Sequence, residues 1–461
     1  WFNESDVQWV VEMGSSAWAT LPESALATGW VFYDWAFAFC QSNGAWHWIN
    51  EPDWQWVLNM RTGEWTRFGA AGGKALLTWA DVAGGFAGTF GVPLAEEGDY
   101  RFGYSSGVHE QLENGNLLVD GHPYYDRQAQ VQVPGVLDGR EGVRTGGWID
   151  LTGGLKPPGW TEGDERIVLG GLLQVTGRIH FTKHQWYNGS GTNWPTQGRY
   201  DGALDGSGTA SGLWGVDNGY AHHSRAGGYM SEPPEALREA GYAYLAGLEG
   251  TSGAALGRWG PNLFAVRAEV SGGEVPAATL ICHPSEALQA PAVRASNATS
   301  AWWVANRPAN ETWWIANQVT DMKWIETGTR HGVLCFVYRG IGQQWYGASD
   351  GGPGLPDPYG GGSGYHAEGW ALQAWIYDPA DLMEVFRGER EAWSLAPEEV
   401  VLLTERLPGA GAESHHSVFS GSARAGLKAS VRGNRLIVLQ ENEHPASEWE
   451  NTPKGYVFTL P

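Results

Sequence analysis

Short apolar runs recur behind glycine along this chain. They are Gly115-Asn116-Leu117-Leu118-Val119, Gly170-Gly171-Leu172-Leu173-Gln174-Val175, Gly260-Pro261-Asn262-Leu263-Phe264-Ala265-Val266, Gly332-Val333-Leu334-Cys335-Phe336-Val337 and Gly433-Asn434-Arg435-Leu436-Ile437-Val438. Each is a glycine turn feeding a partly β-branched stretch, which predicts a buried strand entered through a tight turn. The first unit runs from Tyr100-Arg101-Phe102-Gly103-Tyr104 through His109 and the Leu117–Val119 strand to Gln128-Ala129-Gln130-Val131-Gln132-Val133, whose strict alternation marks a half-buried outer strand. Successive strands joined by tight turns make a four-stranded antiparallel meander. Later units repeat the logic with larger insertions: Leu169–Val175 leads to Arg178–Phe181, Asn262–Arg267 to Thr279–Cys282, Gly332–Tyr338 to Trp370–Tyr377, and Ser417–Gln440 to Gly455–Leu460. Helical signal is confined to two connections, Pro233–Ala240 and Pro379–Val385, the second with Gly388 as a stop.

Five meanders with unequal loops close best as an all-β, five-bladed β-propeller of four-stranded antiparallel blades, because radial packing leaves only short, protected edges. Six blades follow if one long insertion hides a divergent unit. The ring is expected to close by pairing near the chain's two ends, with Leu76-Leu77-Thr78-Trp79 contributing a strand. Leu117, Leu172, Leu334 and Leu436 are expected at equivalent buried positions in different blades.

Residues 1–69 read differently, as a small Trp-rich β-hairpin module preceding the propeller. A shift of 19 residues maps Trp35 onto Trp54, Phe37 onto Trp56, Gly44 onto Gly63 and Trp46 onto Trp65. Glycine supplies the positive φ of each turn, and alternate aromatics fall on one face. Residues 70–75 make a linker, and residues 76–461 the propeller.

Composition sharpens this picture in three ways. The chain has 461 residues, of which 67 are Gly, 27 Trp, 17 Tyr and 14 Phe, the excess expected of many short strands, tight turns and heavy aromatic surface. Lys and Arg total 29 against 51 Asp and Glu, so a net charge of -22 repels a polyanion and sets nucleic acid aside as a partner. No run reaches the apolar length of a membrane span, and a chain opening on Trp1 without a signal peptide reads as mature or excised. Cys335 lies in an apolar run and reads as a small buried hydrophobe; a Cys282–Cys335 bridge would leave Cys40 unpaired. Sequons stand at Asn3, Asn188, Asn297 and Asn310.

The aromatic hairpins of residues 1–69 resemble the repeats of bacterial cell-wall-binding and choline- or glucan-binding modules. That resemblance implies that rings such as Trp35, Trp46, Trp54 and Trp56 stack on sugars or cage a cation; the alternative is that a small domain short of aliphatic residues uses its tryptophans as core. Residues 76–461 resemble secreted bacterial β-propellers through Leu118-Val119-Asp120-Gly121-His122, Gly228-Tyr229-Met230, Gly364-Tyr365-His366 and Ala374–Leu382. More distantly they are similar to five-bladed propeller glycoside hydrolases, which place acidic residues on innermost strands.

A glycosidase needs two carboxyl groups about a cleft, one protonated and one ionised. Candidates near inner strands are Glu110, Asp217, Glu326 and Glu368, the last within Tyr365-His366-Ala367-Glu368-Gly369-Trp370 after a Gly/Pro loop. Tyr365 and Trp370 add ligand-stacking surface there, and His366 a titratable neighbour; a solvated loop acid is the alternative for Glu368. His109 and His180 could meet other histidines at the axis as a metal site, although such histidines more often hydrogen-bond to backbone. No cofactor motif is present, since HExxH, P-loop and dinucleotide fingerprints are missing; a structural calcium or other metal ion at the axis is compatible with the fold. Three functions follow as expectations: an extracellular or cell-surface propeller binding carbohydrate or envelope polymer, a structural subunit of a surface layer, filament or appendage assembling with copies of itself, and a glycan-cleaving hydrolase.

Overall fold

A computed structural model of the chain describes residues 74–161, 167–185, 193–217, 226–248, 261–268, 270, 273–282, 318–346, 365–403 and 426–461. Before residue 74 it describes the backbone of seven short strands, and at 339–346 and 365–371 backbone alone. Two compact units separate: Trp1–Leu76 with Gly328–Arg330, and Leu77–Thr327 with His331–Pro461. In the first, β1 (Trp9–Glu12) and β2 (Ala17–Thr20) form a hairpin. There β3 (Trp30–Tyr33), β4 (Phe37–Cys40), β5 (Ala45–Ile49), β6 (Trp56–Asn59) and β7 (Trp65–Arg67) follow as a five-stranded antiparallel meander. Phe37 and Trp56, equated by the 19-residue repeat, each open a strand. The short strand β8 (Ala75–Leu76) ends the run, its Ala75 N–H donating to the Thr329 carbonyl.

The second unit opens on a helix, α1 (Trp79–Gly84), where a closing strand was expected at Leu76–Trp79. The reason is a reciprocal cap. Thr78 Oγ1 accepts from the Asp81 N–H at 3.2 Å while Asp81 Oδ2 accepts from the Thr78 N–H at 2.9 Å, which commits the following residues to a helical turn. The strand that joins the chain's end is β9 (Phe86–Gly91).

From there the strands come in antiparallel fours. The first four are β10 (His109–Gln111), β11 (Leu117–Asp120), β12 (Gln128–Gln132) and, after the excursion β13 (Asp138–Glu141) to the edge of β9, β14 (Val143–Ile149). Tyr100–Tyr104 thus lies ahead of the first strand rather than in it. An eight-stranded sheet follows. It joins β15 (Ile167–Val175), β16 (Arg178–Gln185), β17 (Gln197–Asp201) and β18 (Thr209–Asp217) to β19 (Met230–Ser231), β20 (Tyr244–Gly247), β21 (Leu263–Val266) and β22 (Glu274–Ile281) through parallel pairing of β18 with β22. Next come β23 (Gln318–Glu326), β24 (Arg330–Tyr346), β25 (Tyr365–Tyr377) and β26 (Glu399–Leu402). Last, β27 (Leu427–Arg432), β28 (Arg435–Pro445) and β29 (Asn451–Thr459) take β9 as their fourth strand, with Gly455 opposite Phe90. Helices α2 (Glu235–Glu239) and α3 (Pro379–Phe386) sit in the connections where they were expected, α3 capped by Asp378 and stopped at Gly388, whose φ is +74°.

The first strands form a cycle: β10 packs on β15, β15 on β19, β19 on β23, β23 on β27, and β27 on β10. Apolar layers fill the spaces between neighbouring sheets, as alternation along a strand requires. Leu117 and Val119 face Ile437, Leu439 and Val457, while Leu118 between them faces Leu172, Ile179 and Phe181. Polar groups tie the inner strands together. Lys323 Nζ donates to the Met230 carbonyl at 2.5 Å and to Asp321 Oδ1 at 2.6 Å, Asp321 Oδ2 accepts from the Ala429 N–H, and Lys428 Nζ donates to the Thr320 carbonyl. Burial pushes the Asp321 carboxyl up against the pull of both lysines.

Two expectations change. Leu117, Leu172, Leu334 and Leu436 are all buried, but Leu172 lies on a first strand and the others on second strands; the Gly260 run supplies a third strand. Any strand covered on both faces carries the same apolar run, so the run marks burial and not rank within a sheet. Cys282 and Cys335 are both buried free thiols, with Cys282 just after β22 and Cys335 within β24. Burial raises the Cys335 thiol well above its ordinary range, in keeping with the hydrophobic role expected of it.

Truncating the closing strand tests this arrangement. Phe90→Ala removes a wholly buried ring and should destabilise the protein by about 3–5 kcal/mol, whereas Val143→Ala on an exposed position should stay within about 0.5 kcal/mol. Urea denaturation of both variants makes the comparison.

Candidate functional site

The two ends of the sheets differ. At one end first and second strands meet in short turns at Asn114-Gly115, Thr176-Gly177 and Gly433-Asn434, the first requiring the +85° φ of Gly115. At the other, residues 121–127 join β11 to β12, residues 446–450 join β28 to β29, and residues 92–108 lead from β9 into β10. Unequal connections of this kind are where side chains are free to serve a ligand.

Three large rings stand out of this end. Tyr104 is 44% exposed, Tyr124 73% and Trp449 79%. His122 links the two tyrosines: its ring stacks on Tyr124 at 5.2 Å, meets Tyr104 edge-on at 5.7 Å and leans on Tyr125 at 5.2 Å. The Tyr104 hydroxyl donates to the Trp449 carbonyl at 2.8 Å, joining two connections far apart in sequence. The backbone beneath is pinned, with the His122 N–H donating to the Arg101 carbonyl and the Gly121 N–H to the Arg127 carbonyl, both at 2.7 Å. A Cβ at Gly121 would stand 2.7 Å from that carbonyl oxygen and 2.8 Å from the Trp148 ring, so only glycine fits. Ion pairs Arg101–Glu450 at 2.9 Å and Arg127–Asp150 at 2.8 Å brace the flanks.

At the roots of the 121–127 connection stand two carboxyl groups in opposite states. Asp120, 6% exposed, accepts from Gln128 Nε2 at 2.9 Å, and burial, opposed by that bond, raises its pKa to about 7. Burial also works against ionisation of Asp126, but Lys183 outweighs it through charge and a 2.6 Å bond, with a further bond from Thr152 Oγ1, and Asp126 ends below the ordinary carboxylate range. The Lys183 side chain is wholly buried and completes its bonding with Thr152 Oγ1 and the Leu155 carbonyl.

The residues expected from sequence scatter. Glu110 is buried on β10, within reach of the Gln174 N–H; burial chiefly raises it to about 8, so it carries its proton at neutrality. Asp217 and Glu326 are exposed at the ends of β18 and β23, in two other sheets, so these three acids share no strand or sheet. His109 turns both ring nitrogens to carbonyls, Nδ1 to Gly107 at 2.8 Å and Nε2 to Ile437 at 3.3 Å, and burial lowers it to about 4. His180 packs on Tyr244 and is likewise lowered to about 4, first by burial and then by Arg199. Among the described residues no three His, Cys, Asp or Glu side chains gather to hold a metal ion. Tyr365, His366, Glu368 and Trp370 lie on β25, and Trp46 and Trp56 on β5 and β6, where backbone alone is described; Trp35, Trp54 and the four sequons lie outside the described residues. The Gly-x-Ser-x-Gly spacing, expected to be missing, occurs twice in the sequence: at Gly103–Gly107, ahead of β10 and with Ser105 buried, and at Gly347–Gly351, outside the described residues. Sequence reasoning also passed over Tyr104, Tyr124, Trp449, Asp126 and Lys183, although Asp120 and His122 stand inside a segment it singled out.

No family model matches the chain. Nor does any curated protein. Among solved structures, the PQQ-bound form of aldose sugar dehydrogenase from Streptomyces coelicolor aligns over 81% of this chain and 96% of its own, at 12% identity and a TM-score of 0.32. A likeness that slight carries no argument about fold or function. The all-β architecture rests on the strands themselves, and no helix among the described residues is long and apolar enough to cross a membrane.

The raised Glu110 carboxyl makes stability depend on pH. Unfolded, the group ionises near 4.5, so between about pH 4.5 and 8 the folded state holds the extra proton and stability falls as pH rises through that window. Glu110→Gln removes the dependence. Its stability relative to the wild type should rise between pH 5 and pH 9 by a few kcal/mol, read by urea denaturation at both pH values.

Proposed function

We propose that the second unit is a five-bladed β-propeller that acts outside the cell and binds a neutral carbohydrate polymer on the shelf formed by Tyr104, Tyr124 and Trp449. The propeller reading is supported by the cycle of first strands and by the loan of β9 to the last sheet. The binding reading rests on one observation: the exposed rings of Tyr104 and Tyr124 pack against His122, and the Tyr104 hydroxyl donates to the carbonyl of Trp449, whose ring is exposed in turn. Exposed apolar surface that is rigidly organised marks an interaction site, and aromatic faces suit the C–H faces of sugar rings. The tryptophan hairpins of the first unit would add a second, independent attachment to the same kind of polymer, with the gain in apparent affinity that linked sites provide.

Affinity electrophoresis through gels of soluble neutral polysaccharides tests the reading. The wild type should be retarded, and Tyr124→Ala and Trp449→Ala should each weaken retardation roughly 3- to 10-fold, in line with the ~1 kcal/mol of a stacked ring. If no polysaccharide retards the protein while sedimentation shows concentration-dependent assembly that Trp449→Ala abolishes, the shelf is a contact between copies and the binding reading is wrong.

A further inference from the structure

At the end of the sheets opposite the shelf, the Gly433-Asn434 turn sets two arginines face to face. Arg432 closes β27, Arg435 opens β28, and the register makes them direct cross-strand partners, so both side chains leave the same face of the hairpin. Like charges so placed repel, and their surroundings do little to answer them. Arg432 Nη1 donates to the Gln111 carbonyl at 2.9 Å, and its Nη2 stands 3.6 Å from Oε1 of Glu113, an exposed side chain. Arg435 is half-buried, and its guanidinium has no ion pair and no hydrogen bond among the described residues; burial lowers its pKa with no carboxylate opposing. Gln111 Nε2 donates to the Ser430 carbonyl at 2.9 Å and to the Arg435 carbonyl at 3.2 Å, so β10 holds the hairpin in place without neutralising either arginine. Ser430, two residues before Arg432 on the same face of β27, is buried, and its hydroxyl has no hydrogen-bond partner among the described residues. Donors gathered on one face with too few acceptors call for a ligand that brings its own.

We propose that Arg432 and Arg435 form a binding site for a phosphate group, free in solution or carried by a small molecule, at the end of the second unit opposite the aromatic shelf. A carboxylate is already at hand in Glu113, yet it meets Arg432 only at long range and leaves Arg435 unanswered. Glu110, the other acid that acts on Arg432, keeps its proton near neutrality and adds no competing charge. Two guanidinium groups are matched by two negative charges. A phosphate monoester carries about −1.5 to −2 near neutrality on one tetrahedral group, and its oxygens accept from the planar forks two N–H groups at a time. The net charge of -22 repels a long polyanion, which must lie along many acidic side chains, whereas a single small dianion is governed by the two charges beside it. The site is separate from the shelf, and it stands or falls independently of the carbohydrate reading.

Isothermal titration of the full chain with inorganic phosphate, phenyl phosphate and acetate, at matched ionic strength, tests the site. Phosphate should bind saturably with a Kd of about 1 mM or tighter, and acetate more weakly. Tighter binding of phenyl phosphate assigns the site to an ester, and tighter binding of the inorganic ion assigns it to free phosphate; either result supports the proposal. Arg432→Gln and Arg435→Gln should each weaken binding about 10-fold or more, as the loss of a charge-assisted bond requires. Glu113→Gln removes the competing carboxylate from an exposed position and should tighten binding about 2- to 5-fold, a gain that a merely structural role for the arginines would not produce. Tyr124→Ala, on the shelf, should leave phosphate binding unchanged. Absence of saturable binding by either phosphate, acetate binding as tightly as both, or wild-type affinity in folded Arg435→Gln overturns the site. Where Arg435→Gln fails to fold, Glu113→Gln binding no tighter than the wild type overturns it instead.

Discussion

The antiparallel pairing of β9 with β29 is the constraint on which the second unit depends. It joins residues 86–91 to residues 451–459, so the first sheet strand of the unit completes the sheet begun by its last three. Without it β29 would be an unpaired edge, and an unpaired edge is both unsatisfied and prone to the wrong partners. The junction is shaped for one occupant. A Cβ on Gly455 would stand 2.2 Å from the Phe90 ring, so the glycine lets that ring lie across the strand. The far side of β9 is covered in turn by β13, where Asp138 and Arg140 set charges along the new edge.

The candidate shelf is a consequence of that closure. Tyr104 and Trp449 are 345 residues apart, and they meet because the segment leaving β9 passes beside the connection between β28 and β29. The Tyr104 N–H donates to the Asn451 carbonyl and Arg101 pairs with Glu450, so the same seam that seals the cycle also aims the rings. Stability and any binding by this surface are therefore coupled through one strand pair.

This explains what could be read in the sequence. Burial, strand content and both connecting helices were legible, because they depend on local periodicity and on Asp378, Pro379 and Gly388 near at hand. Rank within a sheet was not, because Leu172 and Leu334 wear the same pattern on a first and a second strand. The closing strand was missed for a local reason: Phe86-Ala87-Gly88-Thr89-Phe90-Gly91 holds two glycines and little β-branching, while the Thr78–Asp81 cap upstream turns the more apolar stretch into a helix. The site was half legible. Asp120 and His122 lie in a run noticed for its fold, but the partners that give them meaning, Tyr104, Lys183 and Trp449, come from other sheets or distant connections.

Charge then bears on what this surface could hold. A chain at -22 draws cations towards it at long range, and three exposed rings beside carboxylates would ordinarily favour a cationic ligand. Locally, three carboxylates about the shelf are paired, Glu450 with Arg101, Asp150 with Arg127 and Asp126 with Lys183, while Glu448, next to Trp449, is exposed and forms no ion pair among the described residues. Asp120 lies nine-tenths buried with a pKa of about 7, and so is only about half ionised near neutrality. A cation on the rings would have to compete with an existing pair at each of these three, one of them with its lysine wholly buried, and would have Glu448 to draw it. A neutral, hydroxyl-rich chain meets no such cost, since it asks of the site only aromatic faces and hydrogen bonds. Three of these carboxylates being already paired favours a neutral polymer at this shelf, with Glu448 the group that would draw a cation.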